Sequence, residues 1–420
     1  MLKQIEGSVA VAEAVALCRP EVVCAYPITP QTHIVEGLGA LVKAGKIENC
    51  DYINVESEFA ALSVAIGSSM AGARSYTATA SQGLLFMAEA VYNASGLGLP
   101  IVMTLGNRAI GAPINIWNDQ SDAFSMRDAG WIQLFAENNQ EAADLHIQAF
   151  RIAEDLHCPV MVCVDGFILT HAVEQVDVPT QEEVDAFLPP FEPIQFLDPN
   201  EPMTIGTMVG PEAFTELRYL EHQKQFRAYE VINEVSVAFK KQFGREAGGM
   251  IRTYHADDAE TIIVAMGSVI GTLKDMIDEK RKVGEKIGLV SICSFRPFPE
   301  QDVARALSHA SHVIVLEKSL SVGQSGVLAT HVKQALKNTV PVTSLIAGLG
   351  GRPIPKSSLG KFVEDIKTAD KGDMHFLDLN MPVVERELAA IEAYRKDKKE
   401  RGNMPPKKDA AKSQKMRRAS

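Results

Sequence analysis

No two of the six cysteines in this 420-residue chain are spaced C-x-x-C. Iron–sulfur clusters and structural zinc sites depend on closely spaced cysteine or histidine sets, so neither centre is expected within this chain. The cysteines instead sit in apolar runs such as PVMVCVDG (159–166), the pattern of reduced, buried thiols in a cytoplasmic protein. There is no G-x-G-x-x-G and no G-x-x-x-x-G-K-[ST], which makes a nicotinamide dehydrogenase a poor fit. G-x-S-x-G and H-E-x-x-H are missing as well. No apolar run reaches membrane-spanning length. The opening MLKQIEGSVAVAEAVALCRP lacks a signal-peptide layout, because Glu6 and Glu13 interrupt it, and predicts an amphipathic helix ended by Pro20. Basic residues are the minority, 42 Lys and Arg against 53 Asp and Glu. The net charge of -11 argues against nucleic acid as a partner.

What is present is a globular composition, 46% hydrophobic and 23% charged, long enough for two or three domains. In residues 1–175 short apolar runs alternate with helical patterns: VVCAY, YINV, RSYTATA, PIVMTLG and PVMVCVDG are strand-like, with helices between. That alternation predicts a doubly wound parallel sheet. Residues 176–254 form a proline-rich, acidic crossing segment followed by one long helix ending near Gly244. Residues 255–370 repeat the alternation as a smaller α/β domain. A C-terminal helix is expected over 371–395, and a basic, disordered tail over 396–420.

In such a sheet, ligands gather at the carboxyl ends of the strands. Four of these ends carry reactive side chains. Thr29 follows VVCA inside the rigid corner YPITP, Glu56-Ser57-Glu58 follows YINV, Ser81-Gln82-Gly83 follows YTATA, and Asn107-Arg108 follows PIVMTLG. Each has a plain alternative: Thr29 as a helix N-cap with Pro30 at the first helical position, Glu56 as a solvated first-turn acid, Arg108 as a surface ion pair. Together they offer a hydroxyl, a carboxylate and a guanidinium to one ligand.

The stretches AYPITPQTHIVE, INVESE, TATASQGLLFM and GNRAIGAPINIWND, in this order, resemble the α subunit of multi-subunit 2-oxoacid:ferredoxin oxidoreductases, the thiamine-diphosphate-dependent pyruvate:ferredoxin oxidoreductase family. SFRPFP and GLGGRP extend the resemblance into the second α/β unit, but the basic tail is not covered. The resemblance implies a pyrimidine-type thiamine-diphosphate domain followed by a transketolase C-terminal-like domain. It implies that Thr29 hydrogen-bonds the 2-oxo acid, that Arg108 pairs with its carboxylate, and that Glu58 is the catalytic acid on N1′ of the cofactor. The implied reaction is CoA-dependent oxidative decarboxylation, pyruvate first among the substrates.

The G-D-G motif that holds diphosphate and Mg²⁺ is missing, as are cluster cysteines. The resemblance therefore places Mg²⁺ on a β subunit and [4Fe-4S] clusters on γ and δ subunits. Ferredoxin, or NAD through a flavin subunit, is the acceptor. One departure stands out: this chain reads ESEFAAL where pyruvate-type members commonly read ESEHSAL, so Phe59 replaces a histidine. Phe59 either opens the pocket to a bulkier 2-oxo acid, such as phenylglyoxylate, or packs beneath the site. A non-catalytic assembly scaffold is the alternative of another class.

Overall fold

The computed structural model describes residues 1–368 and 372–400. The first twenty residues are a strand and a helix rather than one helix. β1 (Leu2–Glu6) leads directly into α1 (Gly7–Leu17). Glycine is required at that junction, since a Cβ on Gly7 would stand 2.1 Å from the carbonyl oxygen of Leu169. α1 falls where a helix is expected, but it is buried on most of its surface and so is not amphipathic.

The chain continues through β2 (Val22–Ala25), α2 (Thr32–Lys43), β3 (Asp51–Asn54), α3 (Glu58–Met70) and β4 (Ser75–Thr79). The pattern LLFMAEAVYNASGL breaks at Met87 into α4 (Ser81–Phe86) and α5 (Ala88–Gly96). β5 (Val102–Asn107), α6 (Ser121–Ser125), β6 (Ile132–Phe135), α7 (Asn139–Leu156) and β7 (Val160–Asp165) follow. The acidic, proline-rich stretch is not simply extended. It opens with β8 (Val173–Asp177), antiparallel to β1, and α8 (Gln181–Phe187), started by a capping box of Thr180 and Glu183.

α9 (Pro211–Phe243) is the long helix, with proline in its first turn and Gly244 as a left-handed cap. Its second half buries Ala228, Val231, Ile232, Val235 and Phe239 at helical spacing. Then come β9 (Ile251–Tyr254), β10 (Thr261–Ala265), α10 (Val269–Lys282), β11 (Ile287–Ile292), β12 (Ser294–Arg296), α11 (Glu300–Leu307), β13 (His312–Glu317), α12 (Val327–Ala335), β14 (Val342–Ile346), α13 (Lys356–Asp365) and β15 (Met374–Phe376).

The larger sheet has the order β12-β6-β7-β5-β4-β2-β3, and all its pairings are parallel except that of β12 with β6. The smaller has the order β15-β14-β13-β10-β11-β9, with only β9 antiparallel. Along β5 the side chains alternate between two cores: Val102 faces the cluster under α1 and α7, whereas Met103 and Leu105 face the other. That second cluster also contains Val264, Val290 and Val313 of the smaller sheet, so the two sheets share one apolar interior. Burial of such side chains is worth roughly 1.5–3 kcal/mol each.

Residues 1–377 form one compact unit. The unit from Asp378 onward holds α14 (Met381–Glu400), so residues 396–400, expected in the tail, are helical. The rest of the expected tail, 401–420, and the expected boundary at 370–371 lie outside the fully described residues. Among the described residues no helix is long and apolar enough to cross a membrane.

Candidate active site

β3, β2, β4 and β5 are neighbours and parallel, so their carboxyl ends share one sheet edge. The four marked sequence stretches leave from that edge, as their spacing predicts.

Thr29 lies in the β2–α2 corner and is exposed. It is not a helix cap, because α2 begins at Thr32 with Gln31 before it. The buried Gln31 braces the corner from within by donating its Nε2–H to the carbonyl of Tyr26 at 2.9 Å. The Thr29 hydroxyl makes no hydrogen bond among the described residues, and its carbonyl accepts from Arg108 Nη1 at 2.9 Å.

Arg108 is not a surface ion pair. It is 6% exposed, and its guanidinium donates only to carbonyls, those of Thr29 and, through Nε at 3.2 Å, of Asn115. No carboxylate lies in ion-pair reach of it among the described residues. Burial pushes its pKa below the ordinary arginine value, and the Asp122 charge opposes that shift without cancelling it. A buried cation without an anion is costly, and the planar fork suits a carboxylate ligand.

Glu58 is the first residue of α3, directly after Ser57, whose hydroxyl accepts the N–H of Ala60. The Glu58 side chain turns inward, where it is 8% exposed and has no hydrogen-bond or ion-pair partner among the described residues. Beside it are Gly83 and the buried Thr79 hydroxyl, also unpartnered. A Cβ on Gly83 would stand 2.8 Å from Glu58 Oε1 and 2.5 Å from Thr79 Oγ1, so only glycine lets the α4 backbone come this close to the carboxylate. An inward carboxylate with no partner of its own fits a heterocyclic nitrogen that shares a proton with it.

Sequence reasoning missed Asp122, which is fully buried and gathers N–H groups from both β4 and β5 ends. Burial pushes its carboxyl up to about 7 against those hydrogen bonds. It also missed Asp165 at the end of β7, whose carboxylate meets Lys318 Nζ at 2.6 Å and Ser268 Oγ at 2.6 Å. Burial opposes the charge on Asp165, but Lys318 and Ser268 outweigh it and hold the carboxyl below its ordinary value. In sequence Lys318 was one more lysine in VLEKS.

Phe59, expected either to open the pocket or to pack beneath the site, lies at the surface next to Glu58. It is 38% exposed, with its ring 6.4 Å from that of exposed Phe86. Tyr92, Ile114 and Trp117 are also exposed large apolar side chains. Glu6, His33 and His171 approach one another, with donor atoms up to 4.8 Å apart. Ligands about 2.1 Å from a zinc ion stand closer together than that, and His33 is already paired with Glu6 at 2.7 Å.

Two family models match the chain. One described as pyruvate flavodoxin/ferredoxin oxidoreductase, thiamine diphosphate-binding, spans residues 13–236, and one described as pyruvate:ferredoxin oxidoreductase core domain II spans 259–359. Pyruvate synthase subunit PorA of Methanosarcina barkeri is 48% identical over 385 residues, covering 89% of this chain and 96% of that protein. Ketoisovalerate oxidoreductase subunit VorA of Pyrococcus abyssi is 41% identical over 369 residues, covering 87% and 93%. Among solved structures, 2-oxoglutarate:ferredoxin oxidoreductase from Magnetococcus marinus, with 2-oxoglutarate, coenzyme A and succinyl-CoA bound, superposes with a TM-score of 0.65 at 20% identity. That match covers 87% of this chain and 65% of the solved one, and shows a common fold.

Proposed function

Because the chain belongs to the pyruvate flavodoxin/ferredoxin oxidoreductase family, we propose that it is the α subunit of a 2-oxoacid:ferredoxin oxidoreductase that converts pyruvate and coenzyme A to acetyl-CoA and CO₂. The observation that carries the reading is Arg108, a buried guanidinium with no acid partner, placed against the Thr29 corner. In this role the fork of Arg108 takes the substrate carboxylate, and the free Thr29 hydroxyl donates to the 2-oxo oxygen. Glu58 holds the proton-sharing contact to N1′ of the aminopyrimidine, with Gly83 packed closely beside it. Thiamine diphosphate, when bound, supplies the thiazolium carbon that adds to the 2-oxo carbonyl. Identity of 48% to a pyruvate synthase subunit, against 41% to a ketoisovalerate enzyme subunit, favours pyruvate over a branched acid.

The chain lacks a G-D-G motif and closely spaced cysteines. The diphosphate and Mg²⁺ therefore fall to a β subunit, and the iron–sulfur clusters to γ and δ subunits that pass electrons to ferredoxin. Exposed Phe59, Phe86, Tyr92, Ile114 and Trp117 supply apolar surface for such a partner. A mere scaffold would have no use for an unpaired buried arginine and an unpartnered inward glutamate.

The test is Glu58→Gln in the assembled enzyme, read by proton exchange at C2 of bound thiamine diphosphate. The amide keeps the shape and loses the proton-sharing role, so exchange slows by about 10²-fold or more. Exchange at the parent rate removes Glu58 from the role.

A further inference from the structure

We propose that Asp122 is the positioning residue for the substrate-carboxylate contact, locking the end of β5 that carries Arg108 to the end of β4 that carries Ser81. This rests on the reading of Arg108 given above. Four N–H groups converge on this one carboxylate. Oδ1 accepts from Asn107 Nδ2 at 2.8 Å and from the N–H of Ala123 at 2.8 Å. Oδ2 accepts from the N–H of Arg108 at 2.9 Å and from the N–H of Ser81 at 3.0 Å.

The side chain is wholly buried. Every donor is an N–H, which leaves no place for a side-chain donor of its own. Ser81 has a left-handed backbone, φ 48°, and its hydroxyl donates to the carbonyl of Ala109, a second tie between the same two strand ends. Arg108 therefore points its guanidinium at the Thr29 corner from a backbone held at its own N–H. That contact is made without touching the guanidinium, which stays available to a ligand.

Asparagine is the sharp substitution. It preserves size but presents an NH₂ group to one of the two N–H pairs, so two of the four bonds are lost. In the assembled enzyme, Asp122→Asn is expected to raise KM for pyruvate by about tenfold while kcat changes by less than about threefold, because the lost precision acts on substrate binding. In an Arg108→Ala background the same change is expected to add less than about twofold, since its effect passes through Arg108.

An unchanged KM in Asp122→Asn, or full multiplication of the two effects in the double variant, overturns the proposal while leaving Arg108 in its role. An Arg108→Ala enzyme with parental KM and kcat overturns both. Where Asp122→Asn does not assemble, Asn107→Ala removes one donor and keeps the carboxylate. A KM rise of about threefold at unchanged kcat supports the positioning role, and a parental KM there assigns Asp122 to folding alone.

Discussion

Two buried cations in this chain are settled in opposite ways. Lys318 is 2% exposed and meets Asp165, 1% exposed, across the junction of the two sheets, with Ser268 on both partners. Arg108 is nearly as buried, yet it meets only carbonyls. A charge taken out of water needs an opposite charge or a full set of hydrogen bonds. At Lys318 the chain supplies the opposite charge and a hydroxyl acceptor besides. At Arg108 it supplies hydrogen bonds and leaves the anion to be brought by a ligand. His146, between α7 and β5, takes a third course. Burial drives its pKa down to about 4, and its neutral ring is held by Thr104 and the carbonyl of Ala142.

Breaking the closed pair is the largest expected effect. Lys318→Met leaves Asp165 buried without its cation and is expected to cost roughly 3–5 kcal/mol in denaturant unfolding. Adding Asp165→Leu is expected to recover most of that loss. A single variant as stable as the parent would mean that the junction does not depend on the pair.

Arg108→Ala is expected to do the reverse. It lowers kcat/KM of the assembled enzyme by about 2–5 kcal/mol, for every 2-oxo acid alike, without lowering the unfolding midpoint. Arg108→Lys rescues in part, since it keeps the charge and loses the fork. Substrate-dependent losses would point away from the carboxylate.

His146 sets a pH slope. In the unfolded chain its imidazole takes a proton near the ordinary 6.5, whereas in the folded chain it does so only near 4. The unfolded state therefore binds more protons between these values. Stability falls as pH drops from 6.5 towards 4, by on the order of 3 kcal/mol. His146→Phe is expected to flatten that part of the stability–pH curve. An unchanged slope would assign the acid sensitivity elsewhere.

The smallest expected effect is at Phe59. Its ring lies on the surface beside Phe86, so Phe59→His changes the stability of the chain by less than about 0.5 kcal/mol and leaves the ratio of turnover on small and bulky 2-oxo acids as it is. A shifted ratio would place the ring in the pocket of the assembled enzyme.

By itself, the sequence determined what is local. Alternating apolar runs specified the parallel sheets, and the strand-exit motifs put Thr29, Glu58 and Arg108 on one edge, because a strand's direction and its exit are settled within a few residues. Gly244 ended the long helix for the same reason. Where β1 runs straight into α1, or where proline and acid masked β8 and α8, local pattern failed. Only the tertiary structure decided which charges are matched. Asp165 and Lys318 are 153 residues apart, and no spacing rule joins them. Asp122 lies in a run of polar residues that reads as a loop, and its importance appears only once β4 and β5 lie side by side. The state of a buried charge depends on what the fold brings within about 4 Å of it, and that is a property of the packed chain, not of any one segment.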